Sequence, residues 1–280
     1  MLIGHKQLIE DFKKLAYTKE LGHGYLFYGS PRVGKRSFAL AFADYLEGGE
    51  FDPGEHHPIL EDLMLVLPNE EKNIGIDKIR EIRNFLFQKP FRSPRRTVII
   101  DEGELLTDEA QNALLKIAEE PPASALVLLV TQDPDRLRPT LRSRFRNVFF
   151  SGVPEDEIEK WLVKELHMPA SEAASAAKSS MGQPGLVFAL LKNEKFAENY
   201  KEAKQFLRTS AGERQALIKE LVDDETFDLG SFLDILMIAA APLALRNSRF
   251  WHYMLELRRE AGNFNLNPRL QLLALAKQLN

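Results

Sequence analysis

The stretch "YLFYGSPRVGKRSFALAF", residues 25 to 42, constrains the fold more than any other part of the chain. An apolar run leads into a loop carrying Gly29, Gly34 and Lys35, and a run with helical spacing follows. Strand, Gly-x-x-x-x-Gly-Lys and helix, in that order, is the context of a phosphate-binding loop. The glycines let backbone N–H groups approach phosphate, the helix N-terminus adds its dipole, and the lysine reaches the terminal phosphates. The pattern fails at its last position. A Ser or Thr after the lysine would ligate Mg²⁺ through its hydroxyl, but residue 36 is Arg. A guanidinium has only donors to offer and repels a cation. Ser37 does not replace the missing hydroxyl, because one step along a helix turns a side chain by about 100°.

The second half of such a site is an acidic pair at the end of a buried strand, and "TVIIDEGE" supplies Asp101 and Glu102. In a working ATPase the first holds the metal shell and the second orients or deprotonates the attacking water. Either feature alone is weak, since an acidic pair also simply ends a strand. Together and in this order they are specific.

Up to about residue 150, continuous apolar runs alternate with helical patterns. "YLFY" (25 to 28), "LMLVL" (63 to 67), "TVII" (97 to 100) and "ALVLLVT" (125 to 131) read as strands buried on both faces of a parallel sheet. Between them, "KRSFALAFADYL" and "TDEAQNALLKIAEE" have helical spacing. Ala110, Leu114 and Ile117 share a face, and Pro121-Pro122 stops that helix. This predicts an α/β fold. From "SGVPEDEIEKWLVKEL" onward the strand signal disappears. Ile158, Trp161, Leu162 and Leu166 form one stripe, "MPASEAASAAKSS" is a further helix, and "MGQPG" (181 to 185) breaks the chain before "LVFALL". The expected division is a sheet domain over 1–150, a small helical domain over 151–194 and a larger helical domain over 195–280. In the last, Phe250, Tyr253, Met254 and Leu257 fall on one helical face, a pattern of packing rather than of a ligand site.

Composition removes several function classes. The net charge of −4 gives the whole chain no general attraction to nucleic acid or anionic membrane. The absence of cysteine excludes disulfides and thiolate metal sites. The start, "MLIGHKQLIEDFKK", has no leader-like apolar stretch. The most apolar later run, residues 232 to 245, is too short for a bilayer and contains Asp234 and Pro242. The expected location is the cytoplasm, with no membrane partner.

The segment 101 to 145, "DEGELLTDEAQNALLKIAEEPPASALVLLVTQDPDRLRPTLRSRF", resembles the clamp-loader subunits of bacterial DNA polymerase III, members of the AAA+ class. Their Asn-Ala-Leu-Leu-Lys, Glu-Glu-Pro-Pro and Ser-Arg box correspond here to Asn112 to Lys116, Glu119 to Pro122 and Ser143-Arg144-Phe145. "IGH" near the start, "HGYLFYG", "HPILEDLMLVLP", "IGIDKIREI" and "NPRLQLLALAKQL" extend the similarity over most of the chain, most weakly in the last third. The resemblance implies an AAA+ P-loop sheet domain, a helical lid and a C-terminal helical collar for oligomerisation. It also implies gamma/tau and delta types of subunit as partners, and a sliding clamp and primer–template DNA reached through the assembly.

Three departures from the gamma/tau ATPase pattern point to a subunit with no ATPase of its own inside the polymerase III holoenzyme. Arg36 replaces the metal-binding hydroxyl, the Gly-x-x-Arg box of the lid has no Arg between Gly182 and Leu191, and the length leaves no tail beyond three domains. On this reading Glu102 is vestigial. Gly29, Gly34, Lys35 and Asp101 form the nucleotide-binding set, for ATP or ADP with Mg²⁺ doubtful, and whether nucleotide is held stays open. A gamma/tau-type ATPase that tolerates Arg36 is the alternative. Another AAA+ machine, such as a helicase loader or branch-migration motor, would explain the loop and carboxylates but not Asn112 to Pro122 together with Ser143-Arg144. Relatives commonly carry a four-cysteine zinc module after the first helix. The corresponding segment here has only the adjacent His56 and His57, so no zinc is expected.

In the family the arginine of the Ser-Arg box, here Arg144, projects toward ATP held by a neighbouring subunit as an arginine finger in trans. Such fingers accelerate phosphoryl transfer by roughly 10³ to 10⁵ in GTPases. Arg92, Arg95 and Arg96 in "PFRSPRRT" read instead as an exposed, solvated loop, with at most a minor salt-sensitive contact to DNA phosphate.

Overall fold

A computed structural model describes residues 2–48, 51, 60–224, 227–241, 247–261 and 266–279. His56, His57 and Pro242 lie outside the described residues. The chain divides into two compact units, residues 1–187 and 188–280.

The first unit is built on five parallel strands: β1 (Gly24–Tyr28), β2 (Leu63–Val66), β3 (Arg96–Ile100), β4 (Ala125–Thr131) and β5 (Arg146–Phe149). Their order in the sheet is β2-β3-β4-β1-β5. The four apolar runs are thus β1 to β4. The fifth strand, "RNVF", was not apparent as one: it is a mostly exposed edge, so it needs neither a continuous apolar run nor strict alternation.

Both faces of the sheet are covered. Val98, Ile100, Val127 and Leu129 point toward α3 (Ile76–Leu86) and α4 (Asp108–Glu119), meeting Ile79, Ile82, Ala110 and Leu114 in one core. Ile99, Leu126, Leu128 and Val130 point the other way, toward α1 (Lys6–Tyr17) and α2 (Lys35–Gly48). There Phe12 is the hub of an aromatic cluster, its ring centroid 4.9 to 5.6 Å from those of Tyr25, Phe27, Phe38 and Phe42. Edge-to-face pairs of this kind add about 0.5–1.5 kcal/mol each beyond area burial. They fix α2, and with it the start of the glycine loop, against β1.

Helix α4 begins where Thr107 accepts a hydrogen bond from the Ala110 N–H, a cap worth about 1 kcal/mol. It ends before Pro121 and buries the stripe Ala110, Leu114 and Ile117 as its spacing requires. After the four-residue α5 (Pro139–Arg142), the helices α6 (Glu155–Leu166), α7 (Ala170–Ser180) and α8 (Pro184–Lys192) follow. Ile158 and Leu162 are buried on α6, and the break at "MGQPG" has Met181 and Gly182 both at positive φ.

The second unit is helical throughout its described residues: α9 (Glu194–Arg208), α10 (Ala211–Asp223), α11 (Leu229–Ala240), α12 (Ser248–Ala261) and α13 (Pro268–Lys277). Phe250, Met254 and Leu257 of α12 enter its core, with Tyr253 against the edge. Arg214 is buried there and donates to the carbonyls of Phe206, Thr209 and Ala276. Its guanidinium ties α10 to the C-terminal ends of α9 and α13.

The arginine-rich loop before β3 corrects an expectation. Arg92 is exposed as expected, but Arg95 and Arg96 are only partly so, and the loop backbone is braced. Asp62, 2% exposed, accepts hydrogen bonds from the backbone N–H groups of Phe91, Arg92 and Ser93 at 2.6 to 3.0 Å and lies 3.3 Å from Arg96. Arg95 donates to the carbonyls of Leu21 and Ala123, and Arg96 to that of Glu61. Burial by itself would raise the Asp62 pKa, but the three N–H donors and Arg96 outweigh it and hold the carboxyl below its usual range. Because the folded pKa is depressed, this stabilisation is present above the unfolded carboxylate pKa and is lost as the pH falls through the folded value. Asp62→Asn should therefore lower the melting temperature of the first unit by roughly 4–8 °C near neutral pH, from a loss of about 2 kcal/mol in charge-assisted hydrogen bonds. The gap should narrow as the pH drops below about 4. Thermal unfolding followed by circular dichroism over that pH range checks both.

Candidate functional site

The carboxyl ends of three neighbouring strands converge on one place, the region where open parallel sheets bind ligands. β1 runs into Gly29, β3 into Asp101, and β4 ends at Thr131, which is paired in register with Tyr28. Gly29 has φ +140°, and a Cβ there would lie 2.3 Å from the Phe150 carbonyl oxygen, so no side chain fits. Gly34 has φ +105°, a backbone conformation that L side chains rarely adopt, although a Cβ there would make only ordinary contacts with Leu2 and His5. The two glycines thus keep the backbone cradle that the loop pattern requires.

The cationic groups are used differently from those of a metal-dependent site. Lys35, 5% exposed, donates to the carbonyls of Gly29 and Ser30, both at 2.7 Å. Its pKa is lowered to about 8 by burial, against the pull of Glu104 and Asp101. Arg36 Nη1 stands 3.4 Å from Asp101 Oδ2. A fixed positive charge therefore sits beside the carboxylate that would hold the metal shell. The loop fits phosphate, whereas Arg36 and Asp101 together do not fit Mg²⁺.

Glu102 has left-handed backbone at φ 51°, unusual for a residue with a side chain and a mark of local strain. Partial burial, then the negative charges of Asp101 and Glu104, raise its pKa against Arg36 and Lys72. Two groups in this neighbourhood were not picked out from the sequence. Glu104 accepts from the Thr131 hydroxyl at 2.7 Å and from the Gln132 N–H, tying β4 to the turn after β3. A polar residue closing the apolar run "ALVLLVT" was the available signal for Thr131; nothing in the pattern marked Glu104.

Arg144 follows α5, with its side chain half-exposed and 3.2 Å from Glu119 of α4. The segment that carries it is held to α4 by a second set of contacts. Arg138 donates to Asn112 and Asp108, and buried Gln111 accepts from the Arg138 N–H while donating to the Leu106 and Arg136 carbonyls. The Asn112-to-Pro122 motif and the Ser143-Arg144 box are therefore neighbours in space. Gln111 was missed, although a polar residue beside the buried Ala110 and Leu114 is a recognisable oddity. Among the described residues no hydrogen bond or ion pair joins Arg144 to Lys35 or Asp101.

Residues 4–154 match the family model described as "DNA polymerase III, delta subunit". The chain belongs to that family. Its sequence is 32% identical over 202 residues to the delta' subunit of DNA polymerase III from Escherichia coli, covering 66% of this chain and 60% of that protein. It is also 32% identical over 164 residues to a gamma/tau subunit from Mycobacterium bovis, covering 55% of this chain and 28% of that protein. This delta-family chain is thus delta-prime-like, and it spans about three-fifths of the length of the Escherichia coli relative. A gamma subunit-related protein from Thermotoga maritima has the same fold, with a TM-score of 0.62 at 24% identity over 95% of this chain and 97% of that one. Among the described residues no helix is long and apolar enough to cross a membrane.

The buried Lys35 gives a measurable pH signature. A lysine whose folded pKa is depressed sheds its proton in the folded chain first. Between about pH 8 and the unfolded value near 10.4, the unfolded chain binds more protons and stability rises with pH. Denaturant midpoints measured across that range should rise for the natural chain and stay flatter for Lys35→Met.

Proposed function

We propose that this chain is a clamp-loader subunit of the delta-prime kind, which does not itself turn over ATP and supplies Arg144 to ATP held by a neighbouring subunit. The assembly would place a sliding clamp on primed DNA in the cytoplasm, with gamma/tau and delta types of subunit as partners. In this reading the sheet domain (1–150) and lid (151–194) keep the form of a nucleotide site, and residues 195–280 form the collar.

The observation that carries the reading is the Arg36–Asp101 pair, 3.4 Å apart. In a P-loop ATPase a hydroxyl and an Asp hold Mg²⁺, which bridges the phosphates and neutralises the charge that develops on them. Here one of those positions is a cation and the other is its counter-ion. Gly29, Gly34 and Lys35 would hold the phosphates of ATP or ADP, but without the metal shell Asp101 and Glu102 have no bound ion to position. Arg144 has the opposite character. It is half-exposed, it pairs among the described residues with the surface carboxylate of Glu119, and exposed pairs of that kind are worth at most about 1 kcal/mol. A neighbouring phosphoryl group could draw it away at little cost.

The purified chain should show no Mg-ATP turnover above background. Arg144→Ala should leave assembly with the partner subunits intact and lower the ATPase rate of the complex, with clamp and DNA present, by about 10-fold or more. An unchanged rate removes the finger from the account. Turnover by the isolated chain that disappears in Lys35→Ala would establish the alternative, a gamma/tau-type ATPase that tolerates Arg36. The intact glycine cradle and the raised Glu102 pKa are the observations in its favour.

A further inference from the structure

The second unit carries a groove with a cavity volume of about 1010 Å³, walled by α9, α10 and the N-terminal half of α11. Each wall contributes one helical stripe: Lys195, Glu198, Glu202 and Gln205 from α9, Leu217 and Leu221 from α10 with Asp224 just after it, and Phe232 and Ile235 from α11. The floor is formed by core residues Leu217, Leu221, Phe232 and Ile235, each at most 8% exposed, and the apolar surface open to a partner is that of the half-buried Phe196 and Phe227 beside them. The rim is acidic: Glu194, Glu198, Glu202, Glu220, Asp224 and Asp228 line it, with Lys195 the one cation among the described lining residues.

We propose that this groove docks a cationic amphipathic helix of a partner protein, its apolar stripe on the floor and its Lys and Arg side chains against the two acidic rims. Charge complementarity selects that occupant. A surface with six carboxylates and one lysine repels phosphates, which excludes nucleic acid and anionic lipid. A divalent cation is a poor fit, because the described residues contain no cluster of three His, Asp or Glu side chains placed to hold a metal. The walls are helical ridges spaced three and four residues apart, the surface into which another helix packs. Long basic side chains can lie along the apolar floor and still bring their charged ends to the rim. Within the rim, Glu202 is half-buried, and its pKa is raised by burial and then by Glu198, Asp224 and Glu220. Glu198, Asp224 and Glu220 thus disfavour the charged form of Glu202 in the free chain, and an incoming cation relieves that repulsion.

The inference goes beyond the proposed function and holds whether or not Arg144 acts on a neighbour's ATP. The test contains no nucleotide, so the two fail separately. The probe is a fluorescein-labelled synthetic peptide of Lys and Leu, about 18 residues long and arranged with helical period, so that it spans about five turns. Its control is a peptide of the same composition scrambled to break the period. Fluorescence anisotropy is read on the full chain at about 0.15 M salt. Glu198→Lys with Glu220→Lys reverses one charge on each side of the groove. Glu10→Lys with Glu70→Lys makes the same change in net charge on the first unit, where both side chains are exposed. The expected result is binding of the helical peptide by the natural chain and by the Glu10/Glu70 variant, weakened at least about tenfold in the groove variant. If circular dichroism shows the reversed variant unfolded, Glu198→Gln with Glu220→Gln provides the same comparison with a smaller expected loss. Absence of binding, equal weakening in both variants, or equal binding of the scrambled peptide would overturn the proposal. So would binding of duplex DNA or of calcium that is lost in the groove variant.

Discussion

The positive charge beside Asp101 is a covalent part of the chain. In a metal-dependent P-loop that charge arrives with the nucleotide as Mg²⁺ and leaves with the product. Here the Arg36 guanidinium supplies it permanently, 3.4 Å from the carboxylate. The rest of the site is consistent with that substitution. Lys35 is satisfied by the Gly29 and Ser30 carbonyls, and Glu104 by Thr131. Phosphate binding would have to compete with the contacts that Lys35 already makes in the free chain.

The same sheet supports the α4–α5 segment that carries Arg144. α4 packs on β3 and β4 through Ala110 and Leu114, while its polar side holds Arg138 through Asp108 and Asn112 and pairs Glu119 with Arg144. Gln111 is the buried link between these layers, accepting from one backbone group and donating to two. The proposed division of labour follows from this arrangement. On the loop side the buried Lys35 is satisfied by backbone carbonyls and Arg36 pairs with the mostly buried Asp101, whereas Arg144 pairs with Glu119 through two half-exposed side chains.

Four of the five strands and the helices α2, α4, α6 and α7 were legible because their burial is continuous or has helical spacing, whereas α1 and α3 were not read as helices. β5 was not legible, because an exposed edge strand of four residues leaves no such imprint. The glycine loop, Asp101, Glu102 and the replacement at Arg36 could be read directly, since each is a residue type at a fixed spacing. What the sequence hid was long-range. Nothing local indicates that Asp62 reaches residues 91 to 93, or that Arg95 and Arg96 spend their donors on backbone carbonyls. An arginine run reads as a solvated patch until its acceptors are known. The acidic rim of the C-terminal groove was hidden for the same reason, because its carboxylates come from separate helices.

The most direct test of the account is the affinity of the purified chain for ATP, measured with and without Mg²⁺. With Arg36 in the cation's place, magnesium should bring no tightening, whether ATP binds weakly through Gly29, Gly34 and Lys35 or not at all. Tightening by magnesium that is abolished in Asp101→Ala would mean that Arg36 gives way and the metal shell still forms, contrary to the central claim.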